Sequence, residues 1–296
     1  MKVSRSGYYE YAERKAAADK RAAEAKRVRG CFYFHQRRYG SRRIADELGM
    51  GRFLVRRLMR EQDLVAIQPK RFKPKTTDSK HNALVSPNLL KEVKNQREAP
   101  GEVIVGDITY LPLKHGRFGY LAMFQDKFTR RIVGWALGET MEAELVVRAL
   151  AMAFRRGLIK RGAIIHTDRG SQYVSNAYRK LLALHDIRQS MSAKGNCYDN
   201  AQAESFFSRF KAELMTDGIF ESIEHARREI FSYIEGYYNR IRKHSSLGYR
   251  SPIEFERAWK IDNQRFSSES DSQPVKRRRA MPADNPSRNN RPETHP

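Results

Sequence analysis

Acidic side chains are in short supply in this 296-residue chain: 34 Asp and Glu stand against 57 Lys and Arg, a formal charge of +23. That balance excludes a cationic partner and favours a polyanion, with nucleic acid the first candidate. Cysteine is scarcer still. Cys31 and Cys197 are the only two, too few for a disulfide framework or a thiolate zinc site. No charged-then-apolar signal segment stands at the N-terminus, so a reduced, cytoplasmic protein is expected. Also lacking are an apolar run long enough for a bilayer and a basic amphipathic helix with a bulky apolar face, which excludes a membrane partner.

The charge that is present is uneven. Residues 1–98 hold 25 basic and 11 acidic side chains, a net +14, so the first third reads as the region that grips DNA. Within it, residues 8–29 have few apolar anchors and predict a solvated helix. SRRIADELGMGRFLVRRLM, from Ser41 to Met59, predicts two short helices about Gly49-Met50-Gly51, with Ile44, Leu48, Val55 and Leu58 inward. Ala45, Gly49, Val55 and Leu58 have the offsets of a helix-turn-helix, which places Arg52, Arg56, Arg57 and Arg60 on the second helix or its end, within reach of phosphates or bases. A plain helical hairpin with a basic solvated face has the same spacing.

Four domains are expected: a helical DNA-binding region over 1–67 with the helix-turn-helix at about 40–60, a basic linker over 68–98, a catalytic core with C-terminal helices over 99–260, and a disordered tail over 261–296. Pro, Lys, Thr, Ser and Asn without apolar periodicity mark the linker; the tail has almost nothing to bury. In the core, Val103–Thr109, Tyr120–Asp126 and Ile132–Leu137 predict three adjacent antiparallel strands. A helix over 142–156, a strand Ala163–Thr167, a helix over 176–185, a strand Arg188–Ser192 and a helix from about 200 to 215 follow, the alternation of a mixed α/β sheet. Residues 222–243 present Ile223, Ile230, Phe231, Ile234, Tyr237, Tyr238 and Ile241 as one apolar stripe. Ser251-Pro252-Ile253-Glu254 has the make-up of a capping box opening a last helix.

Three acids carry the chemistry. Asp107 sits in the apolar strand VIVGDIT, where a lone carboxylate is costly and a cation is expected beside it. Asp168 ends a second apolar strand, where ligand-binding groups usually project. Glu204 belongs to a helix whose Phe206, Phe207, Phe210 and Leu214 form an apolar side that packs on the sheet and presents the glutamate at its edge. Three hard oxygen ligands suit Mg²⁺ or Mn²⁺, and two such ions can flank a scissile phosphate. Asn200, Ser208 and Lys211 share the Glu204 face, with Lys211 placed for a phosphate. Any one acid alone is far more often a surface charge or a cap; the constellation is the signal.

Asp168 and Glu204 have 35 residues between them, in contexts that resemble transposases of the retroviral-integrase type. The chain is most similar to the second-frame protein (OrfB) of the insertion-sequence-three family. GDITYLP at 106–112, HTDRGSQY at 166–173, NCYDNAQAESFFSRFKAEL at 196–214 and YNRIRKHSSLGYRSP at 238–252 carry the match, and SRSGYY at 4–9 and the helix-turn-helix at 40–60 extend it. Ile104, Ala193 and Tyr198 depart from the family's usual residues, none at one of the three acids.

The resemblance implies an α/β, ribonuclease-H-like integrase catalytic core, a mixed five-stranded sheet with helices, preceded by a small all-α helix-turn-helix region. It implies that Asp107, Asp168 and Glu204 are the catalytic, metal-binding acids of a DNA transposase that cleaves and transfers strands. His166, Gln172, Tyr173 and Asn200 then either orient carboxylates or the DNA end, or are structural; Arg242 and His244 either meet phosphate or, with Tyr238 and Asn239, lock the last helices onto the core. Implied partners are the element's ends and target DNA, further copies of the chain, and an upstream-frame protein (OrfA) fused by frameshifting, whose end-recognising leader this chain, starting at Met1, lacks. Two other readings stand beside this one: a DNA-binding regulator or assembly partner inactive alone, and a ribonuclease-H-like nuclease acting on RNA–DNA hybrids.

Overall fold

A computed structural model of the chain describes residues 4–68, 86–91, 99–192, 201–215 and 218–271. Residues up to Arg257 form one compact unit; a second begins at Ala258. Most of the expected linker, 69–85 and 92–98, lies outside the described residues, as do 193–200 and the tail from 272 with Lys276–Arg279.

Helix α1 (Arg5–Phe34) starts at Ser4, whose Oγ accepts a hydrogen bond from Gly7 N at 3.1 Å. It is longer at both ends than the composition of 8–29 suggested, but as solvated as expected: only Val28 and Phe32 are buried. Helices α2 (Ser41–Leu48) and α3 (Arg52–Glu61) follow, separated by a turn in which Gly49 takes φ 61°, a conformation that glycine adopts without strain. Ile44, Ala45, Val55 and Leu58 join Val28, Phe32 and Tyr39 in a small core of their own. The fourth expected inward residue, Leu48, is only partly buried at its margin.

The central sheet has the order β3-β2-β1-β4-β5. Strands β1 (Val103–Pro112), β2 (Phe118–Asp126) and β3 (Ile132–Gly138) form the expected antiparallel meander; β4 (Ile164–Thr167) runs parallel to β1, and β5 (Arg188–Met191) parallel to β4. Alternation along β1 divides the core in two. Val105 and Leu111, with Leu121 and Met123 opposite, pack against helix α6 (Ala201–Leu214) through Phe206, Phe207 and Phe210. Ile104, with Ala122 and Phe124, packs against α4 (Ala143–Arg155) and α5 (Asn176–Leu184). Helix α4 comes so close to β3 that a Cβ on Gly134 would lie 2.2 Å from the Ala149 carbonyl oxygen, so this position admits only glycine.

Part of the expected linker is structured: Leu89 N donates to Ser190 Oγ at 2.9 Å and Ser86 Oγ to Gln189 Oε1 at 3.0 Å, fastening residues 86–91 along β5. The single stripe expected over 222–243 is also corrected. Helix α7 (Ile223–Phe231) passes into a wider π-helical stretch over Ser232–Tyr238, with five-residue bonds from Asn239 N to Ile234 O (3.1 Å) and from Arg242 N to Tyr237 O (2.9 Å). The buried face departs from the expected stripe: Tyr233 is inside, while Phe231 and Ile241 are exposed. Ser251 and Glu254 form the expected capping box, Ser251 N donating to Glu254 Oε2 at 2.8 Å, and α8 (Pro252–Asp271) runs on through 261–271, which composition had assigned to a disordered tail.

The motif after the π stretch is a structural lock. Asn239 exchanges two hydrogen bonds with the backbone of Ile132, at 2.9 and 3.0 Å. Arg242 is buried and grips Glu213 of α6, Nε to Oε2 at 2.9 Å and Nη2 to Oε1 at 2.5 Å, while Tyr233 donates to Glu213 Oε2 at 2.9 Å. The N-terminal helices dock on the same place: Arg38 Nε donates to Glu213 O at 3.2 Å, Arg43 Nε to Lys243 O at 2.8 Å, Lys243 N to the Tyr39 hydroxyl at 2.7 Å, and Lys243 Nζ reaches Asp46 at 2.7 Å.

Truncating Arg242 leaves a buried carboxylate without its cation. Arg242→Ala is therefore expected to lose about 3–5 kcal/mol in chemical unfolding; a loss below about 1 kcal/mol, the range of exposed pairs, would show that the pair is not the lock described.

Candidate active site

Asp107 is placed by β1. A Cβ on the preceding residue, Gly106, would lie 2.5 Å from the Phe124 ring, so glycine there lets β1 and β2 close up and holds the strand that carries the acid. Alternation puts Asp107 on the face of Val105 and Leu111, where α6 packs. Its Oδ1 accepts from Ile108 N at 2.9 Å. Burial, followed by repulsion from Asp168 and a smaller one from Glu204, pushes its carboxyl up to about 8, against the Ile108 bond and Lys211.

Asp168 comes immediately after β4. Its Oδ1 accepts from Gly170 N at 3.0 Å, turning the chain into the short 3₁₀ segment Ser171–Val174. A Cβ on Gly170 would lie 2.7 Å from Gln172 Oε1 and 3.2 Å from Asp168 Oδ1, so a larger residue here would displace the Gln172 side chain. Strand β4 pairs with β1 only along Val103–Val105, so beyond that point β1 and the 168–173 segment draw apart. The gap is a cavity of about 420 Å³ that Asp107 and Asp168 both line.

Glu204 lies in the first turn of α6, exposed, while Ala203, Phe206, Phe207 and Phe210 are buried beside it. The structure thus brings Asp107 and Asp168 to one cavity and sets Glu204 where its charge acts on Asp107, although Glu204 is not part of that cavity's wall. Among the described residues, no three acid, histidine or cysteine side chains stand close enough together to enclose one ion. The donor chemistry nonetheless fits a hard divalent cation: all three groups are carboxylates, and a cation would offset both the burial and the repulsion that raise Asp107.

The other expected residues fall into distinct places. Lys211 is the cation expected near Asp107: its Nζ lies 4.3 Å from the centroid of the Tyr110 ring and its charge acts on the acid. Arg52, Arg56, Arg57 and Arg60 are exposed on α3. His166 is fully buried and hydrogen-bonded to Ser190 Oγ (2.8 Å) and Ser192 Oγ (3.1 Å), tying β4 to β5. Gln172 lines the cavity and donates to Met141 O at 2.9 Å. Asn200 lies outside the described residues.

The reading of Arg242 and His244 as phosphate contacts is corrected. Arg242 is enclosed and committed to Glu213. Burial, then Arg242 itself, presses the His244 imidazole down to about 2, so it carries no charge to offer a phosphate. Sequence reasoning missed the cavity's aromatic wall of Tyr110, Phe118 and Tyr120: in β-strands these residues read as ordinary sheet formers, and only the strand register sets Tyr110 opposite Tyr120 and Pro112 opposite Phe118.

Two stretches of the chain, residues 97–197 and 185–252, match family models described as Integrase core domain, and residues 19–72 match an HTH-like domain. The chain therefore combines an integrase core domain, built on the five-stranded mixed sheet, with an HTH-like domain. The transposase for insertion sequence element IS904 of Lactococcus lactis is 39% identical over 237 residues, covering 79% of this chain and 93% of that protein. Transposase InsF for insertion sequence IS3A of Escherichia coli K12 is 38% identical over 265 residues, covering 86% and 91%. A 31 kDa protein of insertion element IS600 from Shigella sonnei is 40% identical over 260 residues, covering 86% and 94%. The chain belongs to the IS3 family of insertion-sequence transposases. Among solved structures, the magnesium-bound HTLV-2 integrase catalytic core domain aligns with 12% identity and a TM-score of 0.40, over 53% of this chain and 97% of that one.

A raised carboxyl has a signed effect on stability. With Asp107 at about 8 when folded and 3.8 as its ordinary value, the metal-free folded protein holds an extra proton between about pH 4 and 8. Stability therefore falls as pH rises through that window. Asp107→Asn should remove this slope and exceed the parent by more than about 1 kcal/mol at pH 8 in chelator, as read by urea unfolding at pH 5 and pH 8.

Proposed function

We propose that Asp107, Asp168 and Glu204 are the catalytic acids of DNA strand cleavage and strand transfer. The observation that carries this reading is the pair Asp107 and Asp168 on one cavity wall, with Glu204 near enough to raise the first of them. Two divalent ions, Mg²⁺ or Mn²⁺, held by the three carboxylates would activate the attacking oxygen and stabilise the leaving one. A water attacks the phosphodiester in line, the 3′ oxygen leaves as a hydroxyl, and that hydroxyl then attacks a second phosphodiester. Lys211, beside Asp107, steadies a phosphate of the reacting strand. The protein contributes position and charge without a covalent intermediate.

Exposed Arg52, Arg56, Arg57 and Arg60 on α3 support DNA binding by the helix-turn-helix region, with phosphate contacts dominating affinity. Action on two element ends calls for a homo-oligomer, with an upstream-frame protein as a further partner and the nucleoid as the place of action. Among the described residues no helix is long and apolar enough to cross a membrane.

The deciding experiment uses a labelled duplex carrying the element's own end, with Mg²⁺ or Mn²⁺, and compares the chain, its Glu204→Gln and Asp168→Asn variants, and a fusion to the upstream-frame protein. Each substitution is expected to reduce cleavage and joining by at least about a hundredfold while leaving duplex affinity within a few fold. Unchanged cleavage in Glu204→Gln would remove that residue from the triad. For α3, Arg56→Ala should lower the slope of log affinity against log salt by about one; an unchanged slope would place α3 away from the phosphates.

A further inference from the structure

The cavity holding Asp107 and Asp168 is built for more than two carboxylates. It opens along β1 past the last residue paired with β4, so part of its wall is strand edge and part is the segment around Gln172 and Tyr173. Its far side is apolar and aromatic: Tyr110 and Tyr120 face each other across the β1–β2 register, and Phe118 meets Tyr110 edge-on with centroids 5.6 Å apart. Phe118 and Met141, on this wall, remain 46% and 41% exposed. Tyr173 lines the cavity too, is 1% exposed, and its hydroxyl has no hydrogen-bond partner among the described residues.

An exposed ring beside two partly buried ones in a concavity, with a buried hydroxyl lacking a partner, is the complement of a flat heteroaromatic group with polar edges. About 420 Å³ suits one such group with its sugar and excludes a stacked duplex. The strand whose phosphate lies at Asp107 and Asp168 brings a base to this place. Every base offers a face to stack on aromatic side chains and edge atoms to bond a hydroxyl.

We propose that this cavity takes one unpaired nucleobase of the reacting DNA strand, next to the phosphodiester at Asp107 and Asp168. The base stacks on the Phe118 and Tyr120 side, and its edge satisfies the Tyr173 hydroxyl. Drawing a base out of the duplex fixes the strand in register with the acids and favours DNA that is already frayed or distorted at that position. This inference rests on the strand-cleavage reading for the identity of the ligand.

The test is a cycle between protein and DNA read by binding, so that it does not depend on turnover. Duplexes carrying the element's end, with an abasic site at each position flanking the cleaved phosphodiester in turn, are titrated without divalent metal against the full chain, Phe118→Ala and Tyr173→Phe. Phe118→Ala removes a half-exposed ring and leaves the core intact. At one position, loss of the base is expected to weaken binding to the parent about tenfold, Phe118→Ala to weaken the intact duplex by a similar factor, and the two losses together to amount to little more than either alone. Tyr173→Phe should show a smaller loss at the same position and none elsewhere. Losses that multiply at every position, or no loss in either variant, would overturn the cavity as a base site. Normal cleavage by Glu204→Gln would instead bring down the triad while leaving this cycle readable.

Discussion

Glu213 and Arg242 meet where three parts of the chain come together, and their ion pair is the constraint on which the rest of the architecture depends. Glu213 stands on the helix that carries Glu204; Arg242 belongs to the segment after the π-helical stretch; Arg38, from the N-terminal helices, donates to the Glu213 backbone and lays its guanidinium 4.6 Å from the Tyr237 ring centroid. Burial opposes charge on both partners, and their mutual bonds outweigh it, holding Glu213 below its ordinary range. A buried charge pair of this kind is dear to break and indifferent to small shifts in pH. It fixes the direction of α6, and thereby where the first turn of that helix can put its glutamate.

The opposite principle governs the other end of the site. Asp107 has no buried cation bonded to it. Instead, burial and then two further carboxylates raise it, countered by the Ile108 amide and a partly buried lysine. One end of α6 is neutralised internally and the other is left with a deficit of positive charge. That division leaves a rigid scaffold with an unmet charge at the cavity, where a charged ligand can be accepted.

Much of this was legible in the sequence. Short β-rich segments bounded by turn signals marked the strands, the SPIE tetrapeptide marked the start of α8 through a capping box that is present, and Asp107 stood out as a carboxylate embedded in a strand where unpaired charge is costly. What stayed hidden is non-local. Arg242 in YNRIRKH reads equally as a phosphate ligand or as part of a lock, and only a glutamate 29 positions earlier, brought against it by the fold, makes it a core residue. The stripe over 222–243 was drawn with an α-helical period that the chain abandons at Ser232. The aromatic cavity depends on where β4 stops pairing with β1, which no local pattern encodes.

That π-helical stretch bears on how many residues the chain can hold ahead of Asn239. An α-helix advances about 100° per residue, so removing a single residue between Ser232 and Tyr238 would yield a regular helix with better local hydrogen bonds. The wide turns absorb most of that angle, so the residues that follow still depart toward Ile132, through Asn239, and toward Glu213, through Arg242. The irregular turn thus acts as a spacer, fitting one residue more than a regular helix would hold ahead of contacts made beyond it.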